Sequence, residues 1–412
     1  MTALGADRPS RLRALMRGSG GLAVAILTMN VATYGFQIVA ARALGPAAYG
    51  AVASLMALLL VVAVVQLGLQ ATAARRIAAA PEDVSRIAPA MLRLSTRASL
   101  GLGVLLAAAS PLVWHVLRLE SIVPALLVAL SAVPLTMVGG QAGILQGERR
   151  WLALGVLYLS MGLPRLLFGT LLIAVKPDET AAMIGVALGA FTSVAVGWWL
   201  LRGDVHHEEG RHDSLRHTFR ESTRNTLALL AFFALSNADI VVARNVLDPH
   251  DAGLYAGGLI LTKAVLFLPQ FVVVVAFPAM ATPGERRRAL VGSLVLVLVL
   301  GLVCTLGAIV LSDVAMIFIG GDDYAEVEDR LWLFAILGTL LSMLQLLVYA
   351  VLARQGGRSA ILFGLAVVAL ALAATKITTL DQLILTVITI DTALLAALLG
   401  ISLWRLSRQP PA

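Results

Sequence analysis

Long apolar runs alternate with short polar breaks along almost the whole chain. About twelve can be marked off, at 20–42, 48–72, 92–115, 121–145, 151–175, 180–201, 225–247, 252–280, 288–312, 328–353, 358–376 and 381–405. Each comes close to or exceeds the ~20 residues a helix needs to cross a bilayer. A segment inside lipid must satisfy its own backbone hydrogen bonds, so runs of this length predict helices. The expected fold is an all-α integral membrane protein of about twelve transmembrane helices. Pro134, Pro164 and Pro269 fall inside the runs, where a kink is tolerated if neighbouring groups take up the freed carbonyl.

The two halves of this pattern echo each other. Ala41-Arg42-Ala43-Leu44-Gly45-Pro46-Ala47-Ala48-Tyr49-Gly50 returns, with small insertions, from Ala243-Arg244 through Pro249 to Gly253-Leu254-Tyr255-Ala256. Leu145-Gln146-Gly147-Glu148-Arg149 returns as Arg354-Gln355-Gly356-Gly357-Arg358. The echoes predict an N-terminal six-helix lobe over 1–205, a linker over 206–222 and a C-terminal six-helix lobe over 223–412. Equivalent residues follow an even number of spans, so the halves run in the same sense. Internal repeats in a polytopic chain point first to a transporter.

Composition removes other classes. The chain is 59% hydrophobic and 13% charged, about half the charged share of a soluble domain. The net charge of +7 does not signal nucleic acid, because the arginines gather in alternate loops. Arg8 to Arg17, Arg75 to Arg97, Arg149 and Arg150, Arg202 to Arg224, Arg286 to Arg288, Arg354 and Arg358, and Arg405 and Arg408 form one set. The intervening loops hold only scattered cations such as Arg42, Arg118, Lys176, Arg244, Arg330 and Lys376. This bias predicts both termini in the cytoplasm of a multi-pass cell-membrane protein. The stretch beginning near Gly21 is too long for a signal-peptide core and carries Asn30, Tyr34 and Gln37, so it reads as a retained first span. Cys304 is the single cysteine, which excludes an internal disulfide and a cysteine metal site. No P-loop, HExxH or GxSxG is present, which argues against ATP hydrolysis and the enzyme classes those motifs mark. His206, His207, His212 and His217 lie in the linker at no standard zinc spacing, and Asp322 or Asp323 reads as a helix N-cap.

Four charges remain inside the spans: Arg165, Asp239, Lys263 and Asp391. A charge at mid-bilayer costs at least ~2.5–3.5 kcal/mol, so each is paired or faces a wet cavity. Under the repeat, Arg165 stands opposite Ala374, Lys263 opposite Ala57 and Asp239 opposite Gln37, so the shared scaffold does not impose these charges. Arg165 and Lys263 suit an anionic headgroup. Asp239 and Asp391 suit a cavity carboxylate or a carrier of a coupling ion, proton or sodium; an Asp239–Lys263 ion pair is the structural alternative. Arg42 and Arg244, at matching span ends, read as snorkelling anchors or rim groups, and Gln37, Asn237, Gln66 and Gln70 as polar groups for sugar hydroxyls or as interhelical glue.

Ala41–Tyr49, the following apolar helix to Gly68 and the exit Ala73-Ala74-Arg75-Arg76 resemble the opening of polysaccharide biosynthesis flippases of the multidrug/oligosaccharidyl-lipid/polysaccharide superfamily. Asn237-Ala238-Asp239, Arg244 and Gly253-Leu254-Tyr255 with Lys263 and Pro269 are similar to the start of that family's second half, and Phe318-Ile319-Gly320 to Tyr324-Ala325 to its later outer loop. The resemblance implies two six-helix lobes related by an axis along the membrane normal, with a cavity between them. It implies movement of a polyprenyl-diphosphate-linked sugar to the outer leaflet by alternating access, without enzymatic chemistry, bound metal or cofactor. The implied partners are a lipid-linked glycan, membrane lipids and other polysaccharide-assembly proteins. An ion-coupled exporter of small amphiphiles shares the fold. A membrane-embedded glycosyltransferase or ligase is the alternative from another class, and the first outer loop, Arg42 to Tyr49, lacks the acids it would want.

Overall fold

The computed structural model describes residues 19–202, 215–266, 286–352 and 359–407. Their regular structure is helical. In chain order the helices are α1 (Ser19–Ala79), α2 (Val84–Val116), α3 (Val123–Gly147), α4 (Trp151–Val175), α5 (Glu179–Leu201), α6 (Leu215–Val246) and α7 (Pro249–Leu266). There follow α8 (Arg286–Val310), α9 (Ser312–Ile319), α10 (Leu331–Leu352), α11 (Ser359–Ala374) and α12 (Leu380–Ser407). Among the described residues nine helices are long and apolar enough to cross a membrane. The protein is an all-α, multi-pass membrane protein. Pro269, Arg354 to Arg358 and the linker histidines before α6 lie outside the described residues.

The first two expected spans do not have a loop between them. They form one helical run through α1, broken at Gly45, whose φ of 70° and ψ of 173° turn the chain before Pro46. Glycine tolerates that left-handed φ without strain, and proline suits the first position of the helix that follows. A hinge of one residue therefore replaces the expected loop. α2 also begins earlier than its apolar run, directly after a 3₁₀ turn at Pro81–Asp83. The expected N-cap at Asp322 is corrected as well: Gly321 caps the 3₁₀ segment Asp322–Arg330, and both aspartates lie inside its first turn.

The chain divides into two compact units. Unit 1 comprises residues 1–40, 62–114 and 120–223, and unit 2 comprises 41–61, 115–119 and 224–412.

In unit 1 a buried cluster joins Ile77, Leu92, Val138, Leu145, Leu154 and Leu201. Glycines set its helix spacing. A Cβ on Gly139, Gly143 or Gly147 of α3 would strike Gln66, Gln70 or Ile77 of α1. The four-residue spacing puts these glycines on one face, where small residues let membrane helices close together. Gly169 and Gly185 bring α4 and α5 together in the same way. Leu105, Leu112, Leu167 and Leu171 face outward and are exposed, as lipid-facing positions should be.

In unit 2, α10 packs against α7, α8 and α12, with Phe334, Leu337 and Leu344 fully buried. Residues 41–61 of α1 also pack here. A Cβ on Gly50 would lie 3.1 Å from the backbone of Gly253, and one on Gly253 would collide with the Pro46 carbonyl. The two copies of the echoed motif thus lie against each other. Tyr49, Tyr255 and Tyr324 are buried beside this joint. The Tyr324 hydroxyl donates to the Ala41 carbonyl over 3.3 Å, and the Tyr49 and Tyr324 rings meet edge to face at 6.5 Å.

Candidate functional site

The intramembrane charges fall into two groups, one in each unit. In unit 2, α6 carries Asn237 and Asp239, α7 carries Tyr255 and Lys263, and α12 carries Asp391. Asp239 is 2% exposed. Its Oδ1 accepts from the Ile240 amide at 2.8 Å, and its Oδ2 accepts from the Tyr255 hydroxyl at 2.9 Å. The Tyr255 ring is fixed edge to face against Phe334 at 5.4 Å, so the hydroxyl is held toward the carboxyl group. The Lys263 ammonium donates to Asn237 Oδ1 at 3.3 Å, and the Asn237 amide nitrogen donates back to the Phe233 carbonyl at 2.8 Å. Among the described residues Lys263 forms no direct ion pair; of the two residues in the alternative Asp239–Lys263 pair, Asp239 bonds Tyr255 and Lys263 bonds Asn237.

Asp391 completes this group. It is 1% exposed, and its Oδ2 is buried with no hydrogen-bond partner among the described residues. It is near enough to Asp239 and Tyr255 for their charges to act on each other. A buried carboxyl oxygen without a partner is costly in an apolar surrounding. The group therefore holds two carboxyls, one ammonium, one phenol and one amide, and has capacity left for a further donor or a small cation.

In unit 1, Arg165 follows Pro164 on α4. Gly189 of α5 lets the helices meet there, since a Cβ at that position would lie 2.8 Å from the Arg165 backbone. The Arg165 Nε is buried with no hydrogen-bond partner, and no ion pair to its guanidinium occurs among the described residues. A guanidinium is always charged and presents five donors, so the half-buried Arg165 retains donor capacity for an anion. Gln37, the repeat mate of Asp239, is half-buried in the same unit on α1.

The span-end arginines are structural in placement. Arg244, 5% exposed, donates Nε to Leu117 O at 3.1 Å. Its two terminal nitrogens reach Ala47 O at 3.2 Å and Arg118 O at 3.1 Å. Asn245 adds a bond to Val116 O at 3.2 Å. Together they satisfy the carbonyls left open where α2 ends. Arg42 donates to the Ile317 carbonyl at the end of α9. Sequence reasoning named neither Tyr255 nor Tyr158 of α4 as a site residue, because a lone tyrosine in an apolar run looks the same whether it packs or hydrogen-bonds. The signal available for Tyr255 was its place in the echoed motif. The described residues contain no cluster of metal-ligating side chains.

Residues 15–283 match the family model described as polysaccharide biosynthesis protein. No curated protein matches the chain in sequence. Solved structures resemble it in fold. An inward-facing multidrug resistance MATE family transporter of the MOP superfamily superposes with TM-score 0.73 at 14% identity, covering 93% of this chain and 94% of that one. A MOP superfamily transporter from Pyrococcus furiosus, described as having a binding pocket of reversed polarity that suggests a different function, gives TM-score 0.65 at 15% identity, with 96% and 95% covered. A MATE protein in its bent conformation gives 0.61 at 15% identity, with 96% and 97% covered. At such identities the likeness is one of fold.

Proposed function

The chain belongs to the polysaccharide biosynthesis protein family, and we propose that within it the protein moves a polyprenyl-diphosphate-linked sugar from the inner to the outer leaflet of the cytoplasmic membrane by alternating access. Arg165 carries this reading. A half-buried guanidinium whose Nε is buried with no partner among the described residues calls for a transient anion, and a diphosphate accepts its planar fork of donors. Lys263, which donates to Asn237 Oδ1, is the corresponding cation of unit 2. The arginine bias places both termini in the cytoplasm under this reading.

The Asp239–Tyr255–Asp391 group supplies the coupling. Two carboxyls beside one ammonium leave one negative charge to be neutralised, and a proton or a sodium ion can supply it. The cargo crosses unaltered, so the protein acts as a transporter and not as an enzyme; other polysaccharide-assembly proteins would make and consume the lipid.

Reconstitution tests this reading. The full chain is placed in proteoliposomes with a fluorescent polyprenyl-diphosphate-linked N-acetylglucosamine, and leaflet exchange is followed by quenching from outside. Protein-dependent exchange of this lipid, with no uptake of a cationic dye, is the expected result. Dye transport without lipid exchange would replace the flippase by an exporter of small amphiphiles.

A further inference from the structure

We infer that unit 1 contains a subsite for the sugar hydroxyls of the cargo, built from Gln66 and Gln70 of α1, Gln146 of α3 and Tyr158 of α4. The inference rests on the flippase reading and names the part of the cargo that this surface recognises.

Gln70 is 8% exposed. One terminal atom of its amide is 2.8 Å from Gln146 Oε1 and 2.7 Å from the Tyr158 hydroxyl. The other terminal atom is buried and bonds nothing among the described residues. This imbalance holds whichever way the amide is turned, since one end has two neighbours and the other none. A network serving only to join helices would be complete, because an unmet amide group inside an apolar bundle is costly. Gln66 lies one turn earlier on the same face. It is 5% exposed, and its side chain makes no hydrogen bond among the described residues. Gly139 and Gly143 seat this face of α1 against α3, which fixes where both glutamines stand. Gln146 and Tyr158 are half-buried.

The chemistry selects the ligand. These four side chains are amides and a phenol, with no carboxylate and no cation. A divalent metal would want several anionic oxygens, and an anion would want a positive charge. A sugar hydroxyl both donates and accepts, and an amide offers both functions. Tyr158 and Arg165 are seven residues apart on α4, hence on one face and about 10 Å apart along the axis. That separation is on the scale of one or two sugar rings, so a lipid with its diphosphate at Arg165 would bring its first sugars to this cluster.

The test compares two lipids on the same protein. Native mass spectrometry of the full chain in detergent measures binding of bare polyprenyl diphosphate. It also measures the same lipid carrying N-acetylglucosamine, glucose or galactose. At least one sugar-bearing lipid should bind about tenfold more tightly than the bare one, as expected for one or two neutral hydrogen bonds. In Gln70→Leu and in Tyr158→Phe this ratio should fall toward one. Tyr158→Phe removes a single oxygen, and the ratio within one protein cancels any loss of folded material. Arg165→Gln should weaken both lipids together. Equal binding of bare and sugar-bearing lipids by the unmodified chain overturns the subsite and leaves the flippase reading standing. A preference that survives both substitutions overturns the assignment to these residues. If neither lipid binds, the flippase reading falls and the subsite with it.

Discussion

Arg244 and Arg165 both lie in apolar helices, and their surroundings are opposite. Arg244 spends its guanidinium on the carbonyls of Leu117, Arg118 and Ala47. Arg165 has a buried Nε that bonds nothing among the described residues. Burying a charge is costly in both places. At Arg244 the cost is offset by the open end of α2, whose carbonyls would otherwise have no donor. At Arg165 no described residue offsets the buried Nε, and the half-buried guanidinium keeps its donors for a ligand. In an apolar bundle, charge alone does not distinguish a scaffold residue from a binding residue; the completeness of its hydrogen bonds does.

The largest effect should come from removing the satisfied arginine. Arg244→Met removes the side-chain donor from the Leu117, Arg118 and Ala47 carbonyls inside unit 2. Hydrogen bonds to charged groups contribute about 1.5–3 kcal/mol each, only partly additive, so a loss of about 3–5 kcal/mol is expected. Thermal unfolding of the detergent-solubilised chain measures it. Arg244→Lys should recover little, because an ammonium on a flexible stem cannot span the same three acceptors. Full recovery by lysine would mean that charge, and not the fork, holds this joint.

Much of the fold was legible in the sequence because lipid imposes a length and a polarity on every span. Trp151–Val175 and Glu179–Leu201 begin and end within a residue of the apolar runs. What was not legible depended on single residues acting in three dimensions. The turn at Gly45 needs one glycine φ value, which a run of small apolar residues does not announce. Asp239, Lys263, Asp391 and Arg165 stood out, since charges in apolar runs are rare. Their partners did not: Asp239 bonds Tyr255 and Lys263 bonds Asn237, and contacts of that kind depend on how α6 and α7 are rotated. Arg244 and Arg165 looked alike as letters, and only the carbonyls of a distant helix end separate them.

A middle-sized effect should come from the glycine contact beside Arg244. Gly253→Ala places a methyl group against the Pro46 carbonyl, and backbone cannot yield as a side-chain tip can. Overpacking of this kind costs about 1–3 kcal/mol. Gly101→Ala in α2 is the control, because nothing lies within 4 Å of its added Cβ; it should be neutral or stabilising by up to about 1 kcal/mol. A tolerated Gly253→Ala would show that the joint of the two echoed motifs is loose, and Arg244 would then be its main fastening.

The smallest effect on stability should come from Arg165→Gln. Among the described residues no hydrogen bond or ion pair is lost, and a poorly compensated charge leaves the apolar bundle. Unfolding should therefore shift by less than about 1 kcal/mol, in either direction, against the large loss at Arg244. Function should respond in the opposite order. Lipid exchange in proteoliposomes should fall at least tenfold with Arg165→Gln, since a bidentate charge-assisted contact to a diphosphate is replaced by a neutral one. Arg165→Lys separates geometry from charge: retained binding at low salt, weakened as salt rises, would point to a loose electrostatic role, and loss under both conditions to the planar fork. If Arg165→Gln destabilises the chain as much as Arg244→Met, then Arg165 has a structural partner in the folded protein, and its guanidinium is not waiting for a ligand.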